Sequence, residues 1–449
     1  MLLNSSRQAY NQWVKTLRFI AVLAAAVGMA ACLFQLEYFV GGTVTGLKGT
    51  GLVLQDNSRD DLRVDANGAF RFSSKVAKDK TYLVTVKTQP SNPAQTCSVR
   101  DGSGTMAKAD ITSVVVSCSQ AGRYAYVANQ TAGTISAFSI NSTNGFLTPI
   151  AAFASTGTAP VALAVDPNGA FLYVANNASD TVGIFAINDT TGALTVTDFS
   201  ILTGASPAAL CVDPTGHFLY VANLGSNTIS AFAVQNGIGT PVGSPVAVGN
   251  QPSALQTDPG GNFLYVTNFV DGTVTVLAID GATGVLSGGV PGSPFRAGTG
   301  PVSIAVDPAG TFAYVANKTA ATISAYSIDQ TTGALNAFGS ALSTATAPMS
   351  IAVDPAGNFV YAAELTSSND VATYAIAASS GALTLSSTAG ARSLPVAVAV
   401  DPSGQFVYVA NQNSGNVSVF TVDAHTGALA EVTGSPFSAG SGARSIAID

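Results

Sequence analysis

The chain is predicted to be all-β and dominated by a ring of propeller blades. Three observations predict this: an Asp-Pro that returns every 45 to 49 residues, four strand-like runs within each period, and a composition of 45 Gly and 20 Pro in 449 residues of which only 10% are charged. Such a composition suits short strands and tight turns better than long helices. The length exceeds one ordinary core and calls for a repeat array or several domains.

In chain order, the first segment is not part of the fold. Arg7, Lys15 and Arg18 form a positive n-region, and Phe19 to Ala31 is an apolar stretch of signal-peptide length, so residues 1–31 read as an export signal. Met29-Ala30-Ala31-Cys32 resembles a bacterial lipobox, in which the Cys is acylated and becomes the mature N-terminus; residues 32–36 would then be a lipidated tether. Met29 stands where that family prefers Leu, and ordinary cleavage beside the alanines or an uncleaved anchor are the alternatives. Phe19 to Phe34 falls short of the roughly 20 residues that a membrane span needs. Leu33, where Asp would signal retention, implies by the same resemblance an outer-membrane lipoprotein of the cell envelope.

The four cysteines fit export. Cys97 and Cys118 fall within one short segment and read as a disulfide. Cys211 stands where other repeats carry Ala and reads as a small buried hydrophobe. Cys32 is left without a partner, which lipidation explains.

Loss of residues 1–31 removes three basic groups and no acid, taking the formal charge from −7 to −10. Residues 37–120 carry a net +2, whereas residues 123–449 carry −12. An acidic main domain without a basic stripe argues against nucleic-acid binding, which draws its affinity from neutralised phosphates.

Residues 37–120 contain no repeat. TYLVTVKT and AFRFSS alternate as half-buried strands do. With Gly and Asn between the strands, the segment resembles the small immunoglobulin-like or transthyretin-like β-sandwiches found outside bacterial membranes. It holds no His and no cluster at metal-ligand spacing, so it reads as a spacer or adhesion module.

From residue 121 to 449 the period takes over. The Asp of Asp-Pro stands at 166, 213, 258, 307, 354 and 401, and Asp449 lies 48 residues beyond the last. A unit such as PVALAVDPNGAFLYVANNASDTVGIFAINDTTGALTVTDF divides into four strands, the number in a propeller blade. The first unit begins at its second strand, and RSIAID, Arg444 to Asp449, matches the missing first one. The C-terminal strand should therefore complete blade 1 and close a seven-bladed ring without an open edge.

The recurring FxYVAN, the GTxSxF/Y after it and the TGAL before the fourth strand resemble the YVTN-type seven-bladed propellers, including the lactonase family named after 6-phosphogluconolactonase. The resemblance covers residues 123–449. It implies the fold directly; an activity has to be argued at a site.

The Asp ring itself reads as scaffold. Asp-Pro-x-Gly is a type I turn in which Asp caps the backbone, Pro fixes φ and Gly relieves the last position. The Asn of YVAN ends strand two, and Phe and Tyr of FxY share one face and pack between blades.

Candidate chemistry is sought where one blade departs from the rest. Glu364 replaces the YVAN Asn, Lys318 follows Asn317, Arg392 and Arg444 sit beside the start of an inner strand, and Arg296 lies in the loop before another. All five fall on connections that open on one face around the channel, where a small-molecule site is expected. The competing reading is a surface pair of Lys318 with Glu364 and solvated arginines. His217 and His425 occupy variable turn positions on the opposite face.

Two functions follow. One is an exported envelope module that binds a protein, a glycan or a small polar ligand through the channel face. The other is a lactone hydrolase using Glu364 with Arg392 or Arg444 as its catalytic set. The sequence offers no cofactor motif, no metal-ligand spacing and no phosphate-binding loop.

Overall fold

The computed structural model describes residues 36–47, 49–90, 95–119, 124–150, 154–155, 157–365 and 369–449. Residues 1–31, read above as an export signal, and Cys32 lie outside them. Among the described residues every regular element is a strand, and the contacts divide the chain into two units that part between Ser119 and Gln120.

The first unit is two four-stranded sheets. Glu37–Thr45 lies at the centre of one, antiparallel to Gly68–Ala77 and parallel to Ile111–Ser119, with Thr96–Arg100 beyond. The other is built from Asp60–Val64, Leu52–Asp56, Thr81–Thr88 and Ser103–Thr105. Strand alternation sends Val44, Leu52, Leu54, Phe72, Val84 and Val114 into one shared core. Cys97 and Cys118 are directly opposed across two adjacent strands and are bridged. Cys211 is free and half-buried in the second unit; burial pushes its thiol far up, so it stays protonated and inert.

The second unit is a seven-bladed propeller. Blade 2 shows the pattern, with Pro160–Val165 innermost, then Phe171–Asn176, Thr181–Ile187 and Leu194–Leu202, each antiparallel to the last. Inner strands of blades 3 to 7 are Pro207–Val212, Pro252–Thr257, Pro301–Val306, Ala347–Val353 and Pro395–Val400. The start of the unit supplies blade 1 with Tyr124–Asn129, Thr134–Ile140, Leu147–Pro149 and the short Ala154–Ser155, and its inner strand is Ala443–Ile448 from the far end of the chain, paired from Ala443 opposite Asn129 to Ile448 opposite Ala125.

The second strand of each blade is sealed between neighbours. Phe218 and Tyr220 pack with Leu264 and Val266 of the next blade, and Phe263 and Tyr265 with Val315 and Ile328 of the one after. Tyr126, Tyr220 and Tyr314 carry the same contact into hydrogen bonding, donating at 3.0, 3.3 and 2.9 Å to the carbonyls of Gly192, Gly284 and Gly381. Those glycines hold the Gly position of the TGAL turn, which reads TGVL at Gly284 and SGAL at Gly381. At Gly381, φ is +68° and an added Cβ would stand 2.4 Å from the Phe312 ring of the preceding blade, so the turn needs Gly for both conformation and space.

The Asp-Pro turns behave as the sequence requires. Asp307 Oδ1 accepts from the N–H of Thr311 at 2.6 Å and of Phe312 at 2.7 Å, and Asp354 makes the equivalent pair to Asn358 and Phe359. Each carboxylate is consumed in turning strand one into strand two. Among the described residues no group of His, Cys, Asp and Glu is placed to hold a metal ion.

Candidate functional site

A cavity of about 520 Å³ opens on the channel end where strand two passes into strand three. Two kinds of position line it: the residue following the second strand of a blade, and the first residues of the inner strands. Most of these side chains are not tied into their own blade's ladder, Ser253 with its bond to Thr267 at 2.9 Å being an exception, and the positions vary while their neighbours repeat.

Lys318 and Arg444 both line this cavity. Lys318 extends from the end of Phe312–Asn317 in blade 5, and Arg444 from the second position of the closing strand in blade 1. Counting either way round seven blades they stand three or four apart, on opposite sides of the channel. Arg444 occupies a ring that elsewhere holds Val161, Ala208, Ser253, Val302, Met349 and Val396. Burial among these side chains lowers its affinity for its proton, although a guanidinium remains charged at any working pH. Among the described residues no carboxylate lies within ion-pairing distance of Arg444 or Lys318, and no Asp, Glu or His lines the cavity. A half-buried guanidinium without an ion partner is costly unless an anion or a strong dipole reaches it.

The remaining polar lining is uncharged. Gln130, Asn177, Gln251 and Ser253 contribute amides and hydroxyls. Several are held by neighbouring blades: Asn177 Nδ2 donates to the Pro207 carbonyl at 3.1 Å, and Ser253 Oγ to the Pro301 carbonyl at 2.7 Å. Ser303, Ser350 and Ser445 each accept a backbone N–H from the adjacent inner strand at 3.1 to 3.2 Å. The wall is thus fixed before any ligand arrives.

The other three candidates lie elsewhere. Glu364 is 1% exposed. Its Oε1 accepts from the Tyr374 hydroxyl at 2.6 Å, and its carboxylate also takes backbone N–H groups of Ala345 and Thr346. Burial raises its pKa, with those bonds opposing the shift. This is the Asn role in other dress: Asn317 Oδ1 accepts from Gly298 N–H at 3.0 Å, and its Nδ2 donates to Thr322 and Ser324. Glu cannot donate, and blade 6 has Ala372 where Ser324 stands and Tyr374 as a donor instead. Arg392 turns outward to Glu431 at 2.7 Å. Arg296 is exposed on Phe295–Arg296, a two-residue strand paired to the third strand of blade 4. Neither these residues nor Glu364 meets Lys318 or Arg444 in the cavity. His217 and His425 sit in turns at the opposite end, His217 beside the Thr215 hydroxyl at 3.1 Å.

Sequence reasoning passed over Leu224, Phe269, Gln130 and Gln251. The signal was present: each occupies the variable position beside a repeating Asn or Pro.

The sequence matches the family model "Lactonase, 7-bladed beta-propeller" over residues 84–206, 196–290 and 290–444. The chain belongs to this lactonase family of seven-bladed β-propellers. Solved structures similar to this lactonase-family chain include a provisionally named 6-phosphogluconolactonase of Bacteroides fragilis, at 20% identity and TM-score 0.65, covering 73% of this chain and 97% of that one. The periplasmic gluconolactonase PpgL of Pseudomonas aeruginosa is similar at 19% identity and TM-score 0.64, covering 71% and 97%. A Lactobacillus plantarum protein aligns at 22% identity and TM-score 0.64, covering 74% and 100%. No curated protein matches the chain. At these identities the structural likeness speaks for the fold.

Proposed function

We propose that the propeller is a lactone hydrolase whose site is the channel cavity between Lys318 and Arg444. The observation that carries this reading is Arg444: a cation with no carboxylate partner among the described residues, in a ring otherwise of Val, Ala, Met and one Ser, opposite a second cation, inside a family named for lactonases. Ester carbonyls become oxyanions when water adds. Fixed cations in a partly dry site stabilise that charge, usually the largest single contribution to such catalysis.

In the proposed reaction, water adds to the lactone carbonyl and its electron pair moves to the oxygen, which Arg444 and Lys318 stabilise. The intermediate collapses, the ring C–O bond breaks, and the proton from water ends on the released alkoxide to give a hydroxy acid. The cavity lining supplies no carboxylate or imidazole as base, so the assistance is electrostatic. The product is an anion facing the same cations, and it should inhibit.

The test is a pH-stat assay of the purified propeller on δ-lactones, corrected for spontaneous hydrolysis. Arg444→Met should lower kcat/KM by roughly a hundredfold, as loss of one oxyanion-stabilising group does. An unchanged rate would end this reading. A binding role for the same face, toward a glycan or protein, would show instead as ligand capture without turnover.

We also propose an exported site of action. Supporting it are the leader-like residues 1–31, the lipobox-like Cys32, the bridged Cys97 and Cys118, and the periplasmic address in the name of PpgL. Palmitate labelling that persists in Cys32→Ala would refute lipidation.

A further inference from the structure

The cavity is chemically two-sided. Round the mouth, the residue after the second strand is an amide in three consecutive blades, with Gln412, Gln130 and Asn177 in blades 7, 1 and 2, and Gln412 Nε2 donates to Gln130 Oε1 at 3.2 Å. Arg444 lies in the middle of this arc, in blade 1. In blades 3 and 4 the same position holds Leu224 and Phe269, both half-buried and both lining the cavity. Val270 follows and is 59% exposed, carrying the apolar lip out to solvent. In six blades the backbone N–H at this position makes the same bond to the loop before the inner strand, so the contrast among them belongs to the side chains.

A ligand bearing hydroxyls on every carbon finds partners in Ser206, Gln251 and Ser253 of blades 3 and 4 but none on Leu224 and Phe269 themselves. Hydroxyls laid against Leu224 and Phe269 give up their bonds to water and gain none. Alkyl or aryl carbon laid there removes apolar surface from water on both partners. The cavity, about 520 Å³, lies within the range of sites that hold drug-sized ligands. A bare lactone ring leaves much of it unfilled.

We infer that the substrates are lactones carrying an alkyl or aryl substituent, the ring carbonyl directed to Arg444 and the substituent seated on Leu224 and Phe269. The inference rests on the lactone reading above and adds the substrate class to it. The reaction is unchanged: water is consumed, the ring C–O bond breaks, and an alkyl- or aryl-substituted hydroxy acid leaves.

The experiment compares δ-decalactone with D-glucono-δ-lactone, two six-membered lactones that differ in what the ring carries. Full-length protein and Phe269→Ser are assayed on both, with thermal melts to show that the variant is folded. The expected result is a kcat/KM for δ-decalactone at least roughly tenfold above that for gluconolactone. In Phe269→Ser the ratio of the decalactone value to the gluconolactone value should fall roughly tenfold. Preference for gluconolactone, or an equal loss on both substrates, overturns the assignment. If neither lactone is hydrolysed, the lactone reading fails, and calorimetry with 5-hydroxydecanoate and gluconate decides the rest. Tighter binding of 5-hydroxydecanoate that is lost in Phe269→Ser upholds the apolar seat, and any other result removes it.

Discussion

The two ends of the propeller are built under different demands. At the Asp-Pro end, the carboxylates of Asp213, Asp307 and Asp354 each accept two backbone N–H groups at 2.6 to 2.8 Å. At the channel mouth, one position changes from Gln130 to Leu224, Phe269 and Lys318. What repeats is what the backbone requires afresh in every blade. Where no backbone group depends on a side chain, the blades diverge, and that divergence places two cations and an apolar arc round one cavity. Identity between repeats therefore marks scaffold, and departure marks a site only when the departing side chain leaves its neighbours' bonds alone.

Predictions that would break or sharpen this contrast run from large to small. Deleting Ala443–Asp449 strips the inner strand from blade 1 and exposes the edge of Tyr124–Asn129. The propeller should lose its cooperative melt or aggregate; an unshifted melting curve would mean that the closure is dispensable. Asn411→Ala removes buried bonds to Asn416 at 2.9 Å and Ser418 at 3.0 Å and orphans the Arg392 N–H. Chemical denaturation should show a loss of about 2–4 kcal/mol. Asp307→Asn keeps an acceptor oxygen in the turn and should lose only about 1 kcal/mol, and mass spectrometry under native conditions should find no divalent ion released.

A further prediction concerns Glu364. Burial raises its folded pKa above the usual 4.5, so the folded chain holds this proton more tightly than the unfolded chain does. Its contribution to stability should rise as pH falls from above the raised folded value toward 4.5, and level off below. Glu364→Gln keeps the oxygen that receives the loop N–H groups and should lack that rise in denaturation curves compared across pH. At the small end, Lys318→Met should change stability by no more than about 0.5 kcal/mol while weakening product binding in calorimetry. A large loss of stability there would erase the distinction between the two ends.

Much of this architecture can be read from the sequence, because each repeat tests the others. The period, the four strands and the strand missing from the first unit fix the ring and its closure. The Asp role follows from turn chemistry alone. Glu364 shows the limit: a sequence exhibits that a residue departs from its repeat, and the direction in which the side chain leaves the strand decides what the departure means. The compensating changes to Ala372 and Tyr374 were the available sign that Glu364 had taken over the duties of Asn. Arg392 is legible as a cation near an inner strand, but its pairing to Glu431 depends on an outer-strand neighbour 39 residues away. Leu224 and Phe269 are hidden differently, since an apolar residue draws no notice until its ring of equivalents is assembled.

The closing strand also sets a rule of timing. Asn129 receives the Gly440 N–H from 311 residues further along the chain, so the first blade to emerge during synthesis is the last that can be finished. Six intermediate blades can gather in order, yet a chain cut short anywhere before its final strand keeps an open edge. Contacts this distant slow folding. Under the export proposed above this ordering would be useful: the ring could not lock until the whole chain had passed.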